Sequence, residues 1–490
     1  MIEDITNNPD QIVKSNYQNI ALIDFNSGSP KSYTYYDIDQ KINQVTAGLL
    51  KKNFEPQTRI AIIANNSFDY IVIYFAIRRS GLVPVLINHK LSAEQISKII
   101  DHSDTEFVFY DDVFIDKVPT STQSLSISQL PIIMSSEPFV KPFDDQDRPA
   151  FFLYTSGSTG EPKGVVVKTN SRRWIMQRQI KNYKGCKILI STPLYHMNGL
   201  SNIERNLLSQ TTILLVPNFD AEQYIKIIQE YDINFLVLVP PMMAMILAHK
   251  SLSPNYRFHS INEIVLASAP TSPELYKQTK KRFPNSRILL RYGLTEVGPG
   301  LFGKAPPGSN LKTPPMSVGY PRKGIEYKLI DDVLHIKSPS MLTTYHKNHD
   351  LYQKTLTEDG FFNTKDKFYV DENGFYFFMG RADDMFVSGG ENIFPGEVEE
   401  IIEKCPGIAS AAVVGLPDEI KGTKPYAFVV RKEYSEVTER EVQEFVMKNA
   451  PAYQYPRRVW FINQMPLTGT NKINKLELES LANYYMGETI

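Results

Sequence analysis

Ala150-Phe-Phe-Leu-Tyr154-Thr-Ser-Gly-Ser-Thr-Gly-Glu-Pro-Lys-Gly164 sets the frame for the whole chain. Its first part, 150–154, is an uninterrupted apolar run of the kind that forms a buried strand. The remainder interleaves the hydroxyls of Thr155, Ser156, Ser158 and Thr159 with Gly157, Gly160 and Gly164, and it carries Lys163. Glycines let several backbone N–H groups turn toward one point, hydroxyls add donors, and the lysine adds a mobile positive charge. Such a loop grips polyphosphate. It is not a P-loop, which closes on Gly-Lys-Ser/Thr, because Lys163 follows Pro162. Taken alone, the same residues also describe a flexible Ser/Gly linker, so the flanking segments have to decide.

Those segments alternate short apolar runs with helical periodicity. Upstream, 59–64 reads as a strand, 68–81 as a helix, 83–87 as a strand and 92–102 as a helix opened by a Ser92-x-x-Gln95 capping box; 107–110 is a further strand. Downstream, 187–190 and 212–216 read as strands, 222–231 as a helix and 235–239 as a strand. This β-α-β rhythm predicts parallel sheets covered by helices. The Ser/Pro/Asp-rich residues 115–147 read as a surface connection. Glycine and proline dominate 304–322, and the alternating segments 327–330 and 333–336 suggest a small β-rich part. After Gly380 the pattern changes. An acidic helix over 394–404, strands over 409–415 and 426–430, a helix over 438–449 with a Thr438-x-x-Glu441 box and a strand over 458–462 form a compact α+β unit. The fold class expected is α/β. A large N-terminal domain, 1–380, would hold two parallel-type sheets with helices and a small β-rich subdomain. A smaller α+β C-terminal domain would span 381–490.

The 490 residues exceed what one core can organise. With 53 basic and 54 acidic side chains the formal net charge is −1, so no global field draws the chain to nucleic acid or to an anionic membrane. Only two cysteines occur, Cys186 and Cys405, which excludes a disulfide scaffold and reads as two small buried hydrophobes in a reducing compartment. The first residues lack the basic and apolar regions of a signal peptide. The most apolar run, 233–248, is broken by Pro240 and Pro241 and reads as a strand followed by a helix starting near Pro241 rather than a membrane span. A soluble, cytoplasmic protein is expected.

Four further segments carry chemistry. Arg291-Tyr-Gly-Leu-Thr-Glu296 follows a strand-like run, where an acid and a hydroxyl suit a magnesium–phosphate site in an α/β sheet; alone it also reads as a capped turn. Asp366, after 359–365, is placed to bond two vicinal ribose hydroxyls, or is a surface turn residue. Residues 380–399 join Arg381, the acidic joint Asp383-Asp384, the Gly389-Gly390 pair and a helix start, more than a plain interdomain turn requires. Lys472 sits in a Gly/Thr turn, Pro466-Leu-Thr-Gly-Thr-Asn-Lys472, and by itself reads as a solvated charge.

In their order and spacing these segments resemble the adenylate-forming enzymes: acyl-CoA synthetases, aryl-CoA ligases, peptide-synthetase adenylation domains and luciferases. The resemblance extends over residues 20–480. It implies an AMP-forming acid–thiol ligase that uses ATP, Mg²⁺ and CoA. A carboxylate would attack ATP to give an acyl adenylate and pyrophosphate, and a thiol would then take the acyl group. By this resemblance Thr155, Ser156, Gly157, Ser158, Thr159, Gly160 and Lys163 cradle the β- and γ-phosphates. Tyr292 and Gly293 lie against adenine, and Asp366 and Arg381 take the ribose. Thr295 and Glu296 orient the α-phosphate, with Glu296 on the metal. Lys472 stands between the incoming carboxylate and the α-phosphate. Asp383 corresponds to a hinge, and Ser388, Gly389 and Gly390 to the face that admits CoA.

His196 in Pro193-Leu-Tyr-His-Met-Asn-Gly199 either lines the acyl pocket or is a core histidine. Amino-acid-activating relatives carry an aspartate in that segment and this chain has none, so the implied acid is a fatty or aryl acid without an α-amino group. Two departures stand out: Lys365 where the family commonly has Gly before the ribose aspartate, and Asn471 where it has Gly before the lysine. Asn is the next best residue at positive φ, so that turn is expected to survive. The alternatives are a standalone adenylation enzyme that loads a carrier protein, a luciferase-like oxygenase, and a non-catalytic binding protein of the same fold. A carrier protein or a second copy of the chain are the macromolecular partners considered.

Overall fold

The computed structural model describes residues 17–26, 28–136, 147–156, 162–181, 183–253, 255–306, 308–342, 344–382, 384–388, 391–418, 422–469 and 471–487. Two seven-stranded sheets dominate it. In spatial order one runs Arg287–Arg291, Glu263–Ala267, Phe235–Leu238, Lys187–Ile190, Thr212–Leu215, Ile20–Asp24 and Lys31–Thr34. The other runs Thr344–Tyr345, Pro162–Lys168, Pro149–Ser156, Val83–Leu86, Arg59–Ile63, Thr105–Tyr110 and Gln123–Ser126.

The strands and helices expected on either side of the Ser/Gly loop are present, and the sheet centres are parallel. The edges differ from an all-parallel expectation. Lys31–Thr34 is antiparallel to its neighbour, and Pro162–Lys168 is antiparallel to both of its own. A short connection can only fold a strand back on the one before it, since a parallel return needs a long crossover. The strands on either side of the Ser/Gly segment therefore pair antiparallel, with Thr155 opposite Lys163. A second correction concerns 115–147. Gln123–Ser126 pairs with Thr105–Tyr110 as an edge strand, a four-residue Ser-rich segment too polar to register as a strand by pattern. The apolar run 233–248 divides into Phe235–Leu238 and a helix Pro240–Ala248 with proline in its first turn. Among the described residues no helix is long and apolar enough to cross a membrane.

The helix Phe68–Arg79 lies in the core shared by both sheets, which draws on Ile60 and Ile62 from one and Ile188, Ile190 and Ile213 from the other. All of its residues but Asp69 are buried, as befits a helix that is apolar on every side. Its C-terminal arginines are buried too. Arg79 pairs with Asp39 at 3.0 Å and Arg78 with Glu204 at 3.0 Å. Glu204 also accepts from Arg172 Nε at 2.6 Å and from Tyr74 Oη at 2.6 Å. One carboxylate thereby ties together the helices Phe68–Arg79, Thr169–Gln177 and Met197–Leu208.

Beyond the two sheets, Glu326–Ile330, Val333–Lys337, Phe362–Val370 and Tyr376–Arg381 form the small antiparallel sheet expected. The C-terminal region has its own sheet, Glu391–Ile393, Phe386–Ser388, Gly422–Arg431 and Ile408–Asp418, with Val459–Phe461 beside Gly422–Arg431. Its cores are its own: Val398, Val413, Val429 and Val446 pack on one face and Val414, Phe428 and Leu478 on the other. Both expected capping boxes, Ser92/Gln95 and Thr438/Glu441, are closed in both directions.

Glu204→Ala leaves Arg78 and Arg172 without their carboxylate in the core. Loss of one partner of a buried pair costs about 3–5 kcal/mol. Urea denaturation followed by tryptophan fluorescence should show that loss, whereas Glu94→Ala, in an exposed helix pair, should leave the transition midpoint nearly unchanged.

Candidate active site

Parallel strands deliver their C-terminal ends to one edge of an α/β sheet, where ligands are bound. Here Arg287–Arg291 ends there and passes directly into Tyr292-Gly-Leu-Thr-Glu296. Gly293 is required by close approach, since a Cβ there would stand 2.8 Å from the Gly298 carbonyl oxygen. Glu296 reaches the second sheet: Tyr345 Oη donates to its Oε1 at 3.3 Å, and the Leu342 N–H donates to its carbonyl oxygen at 2.7 Å. Burial raises the Glu296 pKa, partly opposed by its own backbone, by the Tyr345 hydroxyl and by the charges of Lys163 and Arg381. A carboxylate destabilised by burial is fitted to gain from a bound cation.

Asp366 and Arg381 are register partners across the small sheet. Their ion pair measures 3.3 Å, and Tyr292 Oη donates to the other Asp366 oxygen at 2.5 Å. Asp366 is 3% exposed. Its backbone N–H donates to Thr364 Oγ1 at 3.1 Å, which fixes the turn. The Tyr292 ring packs edge-on against Phe302 and Phe368, and burial followed by the Asp366 charge raises its phenol well above the usual tyrosine range. Lys365, one residue before, sits at φ 59°, the left-handed region that favours glycine. Asn471 is likewise at φ 59°, so the turn survives the replacement as expected.

The C-terminal region enters the same cavity. Its Thr468–Lys472 turn is closed by Thr468 N–H to the Lys472 carbonyl at 2.7 Å and Lys472 N–H to Thr468 Oγ1 at 3.2 Å. The tip docks on the N-terminal sheets, where Tyr195 Oη donates to the Gly469 carbonyl at 3.3 Å. Asn88 closes in from the other side; a Cβ at Gly469 would stand 2.5 Å from its Nδ2. Lys472 therefore faces a cavity of about 2890 Å³ lined also by Lys163, His196, Thr295, Glu296, Asp366 and Arg381. Its side chain is open to the cavity while walled by both regions. Burial lowers its pKa, Asp366 and Glu296 raise it, and Arg381 lowers it. The volume exceeds that of a single small-ligand pocket, about 300–1,000 Å³.

His196 caps the helix Met197–Leu208 and lines this cavity, its ring against Tyr195 at 4.6 Å. Its Nε2 is buried with no hydrogen-bond partner among the described residues. Burial first, then the Lys472 charge, pulls its pKa down to about 3.

Other expected site residues are not brought together here. Ser388 is buried within the C-terminal sheet and does not line the cavity. Gly157, Ser158, Thr159, Gly160, Asp383, Gly389 and Gly390 lie outside the described residues. Thr155 and Ser156 are placed by their backbones at the end of strand Pro149–Ser156. Three participants escaped sequence reasoning: Tyr345 on Glu296, and Asn88 and Tyr195 on the lysine turn. Asn88 had a usable signal, its position just past the C-terminal end of a parallel strand. The tyrosines had none, because an isolated tyrosine is ordinary core. Among the described residues no cluster of three or more His, Cys, Asp or Glu side chains could hold a metal unaided. That leaves Glu296 as a single carboxylate of the kind magnesium shares with substrate phosphates.

The family model for AMP-binding enzymes matches residues 10–345, and that for the AMP-binding enzyme C-terminal domain matches 397–472. The chain is 29% identical to the fatty acid–[acyl-carrier-protein] ligase ScoC of Streptomyces coeruleorubidus, covering 91% of each chain. It is 28% identical to the 2-succinylbenzoate–CoA ligase of Listeria monocytogenes serotype 4b (strain F2365), covering 92% of this chain and 94% of the relative. Among solved structures, ATP-bound MatB from Rhodopseudomonas palustris superposes with a TM-score of 0.85 at 20% identity, covering 96% of both chains, which shows a shared fold.

The His196 environment has a measurable consequence for stability. The unfolded chain takes up a proton on this imidazole near the ordinary value of 6.5, and the folded chain only near 3. The unfolded state thus binds more protons between those values, and stability contributed by neutral His196 is lost as pH falls from 6.5 toward 3. In denaturant titrations across that range, His196→Gln should lose stability less steeply than the wild type, by up to about 1.4 kcal/mol per pH unit.

Proposed function

Because the chain belongs to the AMP-binding enzyme family, we propose that its cavity activates a carboxylic acid with ATP and passes the acyl group to CoA. The observation that carries this reading is the position of Lys472, delivered by the C-terminal region into the cavity that also holds Glu296, Asp366 and Arg381. The first step joins a substrate carboxylate oxygen to the α-phosphorus and breaks the bond from that phosphorus to the bridging oxygen, releasing pyrophosphate. Its barrier is mainly the repulsion between an anion and a polyanion, which fixed cations and donors lower. Lys163 and the segment from Thr155 to Gly160 would hold the β- and γ-phosphates. The pair of Asp366 and Arg381 would receive the ribose hydroxyls, with Tyr292 and Gly293 against adenine. Thr295 would orient the α-phosphate, and Lys472 would act there as a point charge. Magnesium, when bound on Glu296, would supply charge neutralisation for the phosphates.

In the second step a thiolate sulfur attacks the acyl carbon and AMP departs. The lysine then blocks the thiol's approach. Residues 381–490 are read as a lid that turns about Asp383, withdraws Lys472 and brings Ser388, Gly389 and Gly390 to the site in its place. The buried position of Ser388 outside the cavity supports the view that this arrangement is the one for the first step. No carboxylate stands in 193–199 to pair a substrate ammonium, which favours an acid without an α-amino group. The relatives name both acceptors, CoA and a carrier protein; thioester assays with each separate the two readings.

Lys472→Ala should slow adenylation about 10²–10³-fold while thioester formation from supplied acyl-AMP is kept. ATP–pyrophosphate exchange over fatty, aryl and 2-succinylbenzoate-type acids measures the first step, and thiol consumption measures the second. Equal loss of both steps in the variant would refute the assigned role.

A further inference from the structure

Past His196, beside the apolar Ile188, Phe235 and Val237 of the sheet, the helix Met197–Leu208 lines the cavity with polar and charged side chains. Asn198, Asn202 and Arg205 line it at i, i+4 and i+7, one face of the helix. They form a continuous polar ladder. Asn198 Nδ2 donates to Ser268 Oγ at 3.3 Å, Asn202 Nδ2 to Asn198 Oδ1 at 2.8 Å, and Arg205 Nη2 to Asn202 Oδ1 at 2.6 Å.

The far end is electrostatically unbalanced. Glu263 is the carboxylate there, and it already takes Arg287 at 2.5 Å and Lys304 at 3.2 Å. Its charge also acts on Arg205 and Arg291. Those two direct their recorded hydrogen bonds to neutral acceptors, the Asn202 amide oxygen and the Phe302 carbonyl, the latter at 3.0 Å. Arg205, Arg287, Arg291 and Lys304 thus gather round one carboxylate. Burial, with only partial relief from Glu263, pulls Arg291 down to about 10 and Lys304 to about 8. Guanidinium groups held in a cavity without matching negative charge are sites for an oxyanion.

We propose that the inner end of the acid cavity binds a second carboxylate, so that the activated acid is a dicarboxylate, with Arg205 as the specificity-determining residue. The inference rests on the synthetase reading and narrows it. From His196 to Arg205 the helix advances about 13 Å, and the arginine side chain leans back toward the N-terminus. That spacing suits two carboxylates separated by several carbons.

Pyrophosphate exchange with suberate and octanoate, which differ only in the distal group, tests it. The wild type should show kcat/KM about 10–100-fold higher for suberate, the scale of a hydrogen bond to a charged group. Arg205→Met should remove that advantage and leave octanoate within about twofold, and Arg205→Lys should restore part of it. A wild-type preference for octanoate, or equal loss on both acids, overturns the proposal. So does a variant that keeps suberate but raises KM for CoA, which would mark the cluster as a site for CoA phosphates. Should the variants fail to fold by circular dichroism, the wild-type preference decides alone. Exchange with no acid at all would count against the synthetase reading instead. Calorimetric titration of suberate into wild type and Arg205→Met then judges the subsite separately: binding lost in the variant upholds it, and absent or unchanged binding overturns it.

Discussion

Glu204 is the point on which the N-terminal architecture closes. Two large sheets share one core, and the helices between them must be fixed in depth and rotation, which apolar packing alone does loosely. A carboxylate receiving Arg78, Arg172 and Tyr74 at hydrogen-bond distance fixes three helices together. Charge buried this way contributes little net stability, because desolvation offsets most of the attraction, but it penalises every other arrangement. The helix it holds, Met197–Leu208, presents His196 at its start and Arg205 near its end. The placement of the cavity wall thus follows from an ion cluster on its opposite face.

The site itself is assembled from edges. Glu296 comes from the end of a strand in one sheet and is held by Tyr345 from the edge strand of the other. Asp366 and Arg381 come from neighbouring strands of a third sheet, and Tyr292 joins them to the first. Each functional group is oriented by a partner from a different element, so little reorganisation is left for the reaction. Lys472 comes from the C-terminal region, on a turn held by Tyr195 and Asn88 through contacts that can be broken and remade. Such a mount suits the proposed role, in which the cation serves one step and leaves for the next.

The two departures from the family's glycine pattern have one physical reading. Lys365 and Asn471 both occupy the left-handed region at φ 59°. An L-residue there carries a penalty on the order of 1–2 kcal/mol, least for Asn. The surrounding hydrogen bonds retain the conformation: Lys365 N–H donates to Asn363 Oδ1 at 2.9 Å, and its carbonyl accepts from the Ala382 N–H at 2.7 Å. The backbone path needed by Asp366 and Lys472 is kept although the residues that usually make it easy are absent.

Local signals determined most of the architecture. Apolar runs, capping boxes and the prolines at 240–241 placed most of the strands and helices they marked to within a residue or two, because each rests on neighbours in the chain; Ile408–Asp418 and Gly422–Arg431 run three and four residues beyond the expected 409–415 and 426–430, and the helices Tyr35–Leu50, Thr169–Gln177, Met197–Leu208 and Pro273–Arg282 were not picked out. The edge strand Gln123–Ser126 and the antiparallel hairpin at Pro162–Lys168 were not legible, since edge pairing depends on which backbone happens to be unpaired beside it. Of the motif residues only Arg381 stood in a segment denser in polar groups and glycine than an ordinary turn; taken singly, Glu296 read as part of a capped turn, Asp366 as a surface turn residue and Lys472 as a solvated charge. That they meet in one cavity was implied only through a family resemblance, and the hydroxyls of Tyr345 and Tyr195 that hold them were invisible. Contacts made across 49 to 274 residues leave no periodicity in sequence, and neither does a charge cluster such as that around Glu263, whose members are brought together only by the fold.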